Sequence, residues 1–179
     1  MCVLLDHEVA TMRIRIISTG GTIAKTYDEA DGAMHIGRPI IETIVGELRL
    51  PDLAITYDNL LSKDSLDLTD VDRTLIVQAV QQAVRQADAV LVLHGTDTLE
   101  ITGEALHRAL TDPPVTVVLT GAMRPYEFRN TDAAQNVTEA LLACRHKPPG
   151  VYVAMHNRVL RFPGVVKDRQ GMSFIKKTK

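Results

Sequence analysis

From Arg13 onward one unit recurs along the chain: a short apolar run, a polar turn rich in Gly or hydroxyl residues, and a stretch with helical spacing. The runs are Ile14–Ser18, Leu53–Tyr57, Ala89–Leu93, Val115–Leu119 and Val151–Met155. Ala89–Leu93 shows no polar alternation, which marks a strand buried on both faces. Helical patterns span about Pro39 to Leu50, closed by Pro51, then Thr69 to Arg85, Leu99 to Leu110, and Asp132 to His146 before Pro148-Pro149-Gly150. Thr69 reads as an N-cap, with Asp70 and Asp72 favouring the helix dipole in the first turn. Val71, Leu75, Ala79, Val80, Ala83 and Val84 supply that helix's apolar recurrence. Strands alternating with helices of this length predict an α/β fold, with a single doubly wound parallel (or mostly parallel) sheet and helices on both faces. The stretch from the first Gly-rich turn to Gly37 reads as a long polar loop.

The chain of 179 residues suits one domain with a sizeable core. Residues 1–12 read as an N-terminal extension that joins no periodic element, and 13–179 as one α/β domain with no second domain after it. Hydrophobic residues at 45% and charged residues at 23% are ordinary globular proportions, which argues against disorder. A net charge of −2 leaves no electrostatic footprint for nucleic acid. Cys2 and Cys144 are too few for a disulfide framework or a multi-cysteine zinc site. No apolar run approaches the ~18 residues of a membrane helix. The start, MCVLLDHEVATMR, lacks the basic region of a signal peptide, so a cytoplasmic setting is expected.

The polar residues are concentrated where such a sheet binds ligands. Thr19-Gly20-Gly21-Thr22, Ser62, His94-Gly95-Thr96-Asp97-Thr98 and Thr120-Gly121-Ala122-Met123 all follow the carboxyl ends of successive runs. In open α/β sheets that edge forms the binding crevice. Any single polar turn could be merely structural, but several hydroxyl-bearing turns on one edge point to a site.

In TGGT the glycines allow positive φ and close approach of a substrate, and exposed N–H groups there suit an oxyanion. Thr22 would present a nucleophilic hydroxyl. The turn is not G-x-G-x-x-G and leads into a polar loop, which disfavours a dinucleotide-binding oxidoreductase. In HGTDT, Thr96 offers a second hydroxyl and Asp97 a carboxylate suited to an ammonium group. A threonine hydroxyl needs a nearby base, and Lys167 is a candidate if burial depresses it. His94 reads equally well as a structural or a catalytic histidine.

TGGTIA, HGTDT, TGAMRP and the distant Lys167, in this order, resemble the bacterial-type L-asparaginase and glutaminase-asparaginase family from about Ile14 to Lys167. The chain is most similar to a short, single-domain form holding only the N-terminal domain. The resemblance implies hydrolysis of L-asparagine to L-aspartate and ammonia through a threonine acyl-enzyme, with no metal and no cofactor. It implies a small-molecule substrate, no nucleic acid or membrane partner, and a homo-oligomer. Thr22 matches the family nucleophile; Thr96 and Lys167 match a Thr-Lys-Asp group completed by Asp97, which also binds the substrate α-amino group. Ser62 matches the serine that holds the α-carboxylate, with Lys63 beside it, and Gly21, Gly95 and Ala122 line the pocket through their backbones.

Three departures from the family pattern stand out. Met34 occupies the place of the loop tyrosine that activates the nucleophile, leaving Tyr27 as the substitute candidate. Lys63 stands where many members carry Gln. The chain reaches IKKTK soon after Lys167, so the acidic residue that a second domain supplies in typical members is unassigned; Glu127 is one candidate. Asparagine and glutamine differ by one methylene, worth only ~1–3 kcal/mol in a pocket, so preference is not legible. Two other functions fit the same residues: a substrate-binding module or weakly active paralogue, and an ammonia-supplying partner of an amidotransferase, the latter disfavoured by the lack of a tRNA-binding extension.

Overall fold

The computed structural model describes residues 10–37 and 40–177. Its centre is a six-stranded sheet built from β1 (Met12–Gly20), β4 (Leu53–Lys63), β5 (Ala89–Leu93), β6 (Thr116–Thr120), β7 (Gly150–Met155) and β8 (Arg158–Arg161). Their order is β4-β1-β5-β6-β7-β8. All neighbours pair in parallel except β8, which returns antiparallel to β7 through the two-residue turn His156-Asn157. Both turn residues have positive φ, at 50° and 61°, the geometry a tight hairpin requires.

Alternation along the strands feeds two cores. Ile14, Ile16 and Leu91 pack with α1 (Ile41–Gly46) and α4 (Ala133–His146) on one face. Ile17, Val90 and Val92 pack with α2 (Asp70–Ala83) and α3 (Leu99–Ala109) on the other. The doubly wound expectation is therefore met. Strand β5 is buried along its whole length, as its unalternated run predicts, and so is β6. At ~1.5–3 kcal/mol for each fully buried aliphatic side chain, these central strands dominate the stability of the sheet.

Local signals account for several boundaries. Thr69 caps α2 in a full capping box: its hydroxyl accepts from the Asp72 N–H, and the Asp72 carboxylate accepts from the Thr69 N–H. The buried stripe of α2 is Asp72, Ile76, Val80 and Ala83, whereas Val71 is 71% exposed and Leu75 42%. Two apolar stripes compete on this helix, and the one that carries Ile76, Val80 and Ala83 packs into the core.

Other expectations change. Met12, placed by sequence in the N-terminal extension, begins β1 and donates its N–H to Asp52 O at 3.0 Å; residues 1–9 of that extension lie outside the described residues. The helix expected from Pro39 to Leu50 is the single short α1, ending at Gly46, and Pro39 is also outside the described residues. The long polar loop is instead a hairpin, β2 (Lys25–Asp28) against β3 (Ala33–Ile36). Its strands are short and exposed, so no buried face imposes a period of two on the sequence. A second hairpin, β9 (Val165–Asp168) with β10 (Ser173–Lys176), follows β8 and was equally invisible. Among the described residues no helix is long and apolar enough to cross a membrane.

Candidate active site

The turns after β1, β5 and β6 meet backbone to backbone. A Cβ on Gly21 would lie 2.5 Å from the Cα and N of Gly95. One on Gly95 would lie 2.7 Å from Cβ of Ser65, and one on Gly121 would lie 2.2 Å from the His94 carbonyl oxygen. Gly20 and Gly21 also have φ of +99° and +85°, where side chains are strained. Glycine is thus required for packing as well as conformation. The Gly21 N–H is occupied, donating to Lys63 O at 2.9 Å, so an oxyanion must draw its donors from elsewhere in these turns.

The hydroxyls divide into two groups. Thr19 donates to Leu93 O, Thr98 to Ser65 O and Thr120 to Ala154 O, at 2.9, 2.7 and 2.7 Å. Thr19 and Thr120 tie neighbouring strands together, and Thr98 ties the turn after β5 to the 3-10 turn after β4. Thr96, in contrast, accepts from Lys167 Nζ at 2.8 Å and donates toward Met123 Sδ at 3.6 Å. Thr22 opens a single 3-10 turn, Thr22–Ala24, directly after the Gly21 that abuts Gly95.

Lys167, far away in sequence, arrives on β9. Its ammonium donates to Thr96 Oγ1 and, at 3.0 Å, to Asp97 Oδ1. The side chain is only 11% exposed. Burial pushes the Asp97 carboxyl up, but Lys167 and Arg169 outweigh that and hold it below the usual carboxylate range. Two features position Lys167. Its backbone N–H donates to the Glu100 carboxylate on α3, and its cross-strand partner Phe174 is buried in the core.

The remaining expected residues are arranged around this centre. Ser62 and Lys63 end β4, where Gly20 pairs with Lys63. Ser62 is exposed, and Lys63 donates to both oxygens of Asp72 at 2.9 Å. Hydrogen bonds from Lys63 and Thr69 hold that Asp72 carboxyl down at about 2. Ala122 is buried in a turn shaped by Asp132, which accepts from the Met123 and Arg124 N–H groups, and by Asn136, which donates to Gly121 O. Tyr27 stands on the exposed hairpin, directly opposite Met34 in the β2–β3 pairing, so both side chains rise from one face. Its N–H donates to Glu127 at 2.8 Å, which ties the hairpin to the segment after β6.

His94 is structural. It is fully buried, donates from Nδ1 to Gly95 O, and its Nε2 faces the Thr102 hydroxyl, both at 2.8 Å. Burial pushes its pKa down to about 4. Burial likewise pushes the Cys144 thiol up to about 12, which leaves it inert. Asp28, Asp31 and His35 bring ligand atoms within 4.8 Å of one another, but all are exposed, and the Asp31–His35 pair accounts for their closeness. Sequence reasoning missed Arg169, Glu100, Asp132 and Asn136. Asp132 had a readable signal, because it directly precedes a helix.

Residues 13–171 match the family described as "Asparaginase, N-terminal". The L-asparaginase of Thermococcus kodakarensis is 34% identical over 149 residues, which is 83% of this chain and 45% of that protein. A glutamyl-tRNA(Gln) amidotransferase subunit from Methanococcus vannielii is 32% identical over 160 residues, 87% of this chain and 37% of that one. The solved structure of the thermostable Thermococcus kodakarensis L-asparaginase superposes with a TM-score of 0.84 at 33% identity, covering 92% of this chain and 51% of that one. L-asparaginase I from Vibrio cholerae gives 0.78 at 26% identity, over 93% and 52%. The chain therefore spans about half the length, or less, of the relatives it matches.

Proposed function

Because this chain belongs to the asparaginase family, we propose that it is an amidohydrolase that converts L-asparagine to L-aspartate and ammonia through a Thr22 acyl-enzyme. The observation that carries this reading is the Thr96–Lys167–Asp97 contact, which joins residues some seventy positions apart beside the turn that bears Thr22. A hydroxyl, an amine and a carboxylate in that arrangement suit proton transfer to and from a second hydroxyl.

In the proposed reaction the Thr22 oxygen attacks the side-chain amide carbon as its proton passes, by way of the Thr96 hydroxyl that Lys167 holds in place, to the amide nitrogen. The C–N bond then breaks and ammonia departs. Water attacks the resulting ester by the same relay, releasing L-aspartate and restoring Thr22. Asp97 keeps Lys167 in place and receives the substrate ammonium. Tyr27 takes the activating role over Thr22 from its place opposite Met34, and the α/β unit is the catalytic domain of a homo-oligomer.

Ammonia release from L-asparagine by the full chain tests the reading. Thr22→Ala and Lys167→Met each should lose at least about a thousandfold in kcat with unchanged circular dichroism. Turnover retained in Thr22→Ala would sink the nucleophile assignment. The similarity to a glutamyl-tRNA(Gln) amidotransferase component favours a second reading, in which the same chemistry supplies ammonia to another protein. Stimulation of ammonia release by such a partner, with little release from the chain alone, would favour it.

A further inference from the structure

The layer formed by α2 and α3 turns an uncharged face to solvent. Val71, Leu75 and Ile101 are all exposed there; the first two form the α2 stripe that the core does not use. Between Asp70 and Arg85 the exposed positions of α2 are Val71, Thr74, Leu75, Gln78 and Gln82, and none carries a charge. A helix face turned to water ordinarily carries charged side chains. The opposite layer follows that rule: the exposed residues of α4 are Gln135, Leu142, Arg145 and His146, a single aliphatic among polar side chains.

A groove of about 390 Å³ runs between the two helices, lined by Val77, Ile101 and Ala105 and bearing Asp70 and Arg108. Topology puts these two charges at opposite ends. Helices α2 and α3 follow the parallel strands β4 and β5, so both begin at the carboxyl edge of the sheet. Asp70 opens α2, and Arg108 lies in the last turn of α3. Neither is closely matched within the chain. The Asp70 carboxylate is fully exposed and stands 3.7 Å from Arg73, whose guanidinium is turned back onto Leu68 O at 2.8 Å. Arg108 forms no ion pair among the described residues. The α3 acids are engaged elsewhere: Glu100 and Glu104 accept from the Lys167 and Gly164 N–H groups. Exposed Asp67 and Arg85 repeat the same polarity, acid before α2 and base after it.

We propose that this face is the contact surface with a second copy of this chain, joined about a twofold axis. An axis lying in the contact plane and crossing the groove at its midpoint sets Asp70 of each copy against Arg108 of the other. The uncharged side chains then meet one another between the two ion pairs. Such a contact is self-complementary, as a closed dimer requires, and it has the uncharged centre and polar rim of protein interfaces. A single acidic or basic segment of another protein would match one end of the groove and oppose the other. The 14 residues of α2 span about 21 Å, and two adjacent helices about 20 Å. A patch of that size is at the small end of specific interfaces, which suits a dissociation constant in the micromolar range. This surface rests on the homo-oligomer in the proposed function and gives that oligomer its contact.

Sedimentation of the full chain between about 1 and 200 μM tests it, and the wild type should pass from monomer to dimer over that range. Leu75→Glu should weaken association at least about tenfold, because it puts an unpaired carboxylate into the contact. Leu142→Glu, the same change on the opposite layer, should leave association unaltered. Asp70→Arg and Arg108→Asp should each weaken it about three- to tenfold by setting like charges together. The two reversals combined should recover the wild-type constant to within about twofold. Where the wild type is monomeric, Leu75→Glu should keep its Tm. A monomer throughout, a dimer indifferent to Leu75→Glu, or a double reversal no tighter than its single variants would each overturn the proposal. So would a loss of Tm in monomeric Leu75→Glu, which would mean that the chain covers this face itself. Ammonia release from the same samples separates the readings. Intact release from a chain that does not self-associate refutes this surface alone, whereas a dimer with the stated behaviour and no ammonia release refutes the hydrolase reading alone.

Discussion

Gly21 is where backbone chemistry and site chemistry meet most directly. Its φ of +85° strains any side chain, and an added Cβ would sit 2.5 Å from the Gly95 backbone, which cannot swing aside. Gly21→Ala is therefore expected to lower stability by roughly 2 kcal/mol or more and to push the TGGT turn off HGTDT. Urea unfolding and ammonia release should both register the change. Full activity in that variant would show that the turns need not touch. The glycines of TGGT, HGTDT and TGAM were visible in sequence as residues permitting close approach, but the partner of each approach was not. His94 shows the same limit. Its two hydrogen bonds and its burial, invisible in HGTDT itself, decide that it is structural.

Among the elements, α3 acts as the clamp that places Lys167. Glu104 accepts from the Gly164 N–H and Glu100 from the Lys167 N–H, while the Phe162 ring lies against Gly103 in the middle of the helix. Gly103→Ala sets two effects against each other. Helix propensity favours alanine by about 1 kcal/mol. The new Cβ would fall 2.1 Å from Phe162 Cζ, and that ring is only 1% exposed. Overpacking of this kind costs about 1–3 kcal/mol, so the clash wins. Gly103→Ala should destabilise in thermal unfolding and lower kcat as β9 shifts; a rise in Tm would show that the ring relaxes freely. The helix itself was legible from its apolar period, since a core face repeats. The β2–β3 hairpin was not, because short exposed strands leave no such trace, and the four-residue strands β9 and β10 are too short to show a period although Val165 and Phe174 are buried.

For the whole molecule, the buried histidine sets the acid response. His94 has a pKa of about 4 folded and 6.5 unfolded. As pH falls through that window the unfolded chain takes a proton that the folded chain refuses. Stability should therefore drop below about pH 6.5, by at most about 1.4 kcal/mol per unit, in total about 3 kcal/mol near pH 4. Asp72, Asp97 and Asp132, all held below the free value of 3.8, act in a separate window: their contributions persist above it and fade only below it. Urea titrations between about pH 7 and pH 4.5 test the histidine's contribution. A flat profile over that range would mean that His94 titrates normally.

The chain by itself determined the layered architecture, because unalternated apolar runs and 3.6-residue recurrence leave few other ways to bury the same side chains. It also determined which strand ends carry hydroxyls and glycines, since those types lie beside each run in the linear order. Which hydroxyls bond to carbonyls and which face Lys167 was decided only by the tertiary structure. So was the pairing of Lys63 with Asp72 and the arrival of Arg169 at Asp97. Those contacts join segments up to about seventy residues apart, and their geometry depends on the orientation of β9, which α3 and the packed core impose. Local patterns encode what a segment can become, but a charge finds its partner only once packing has fixed the distance between them.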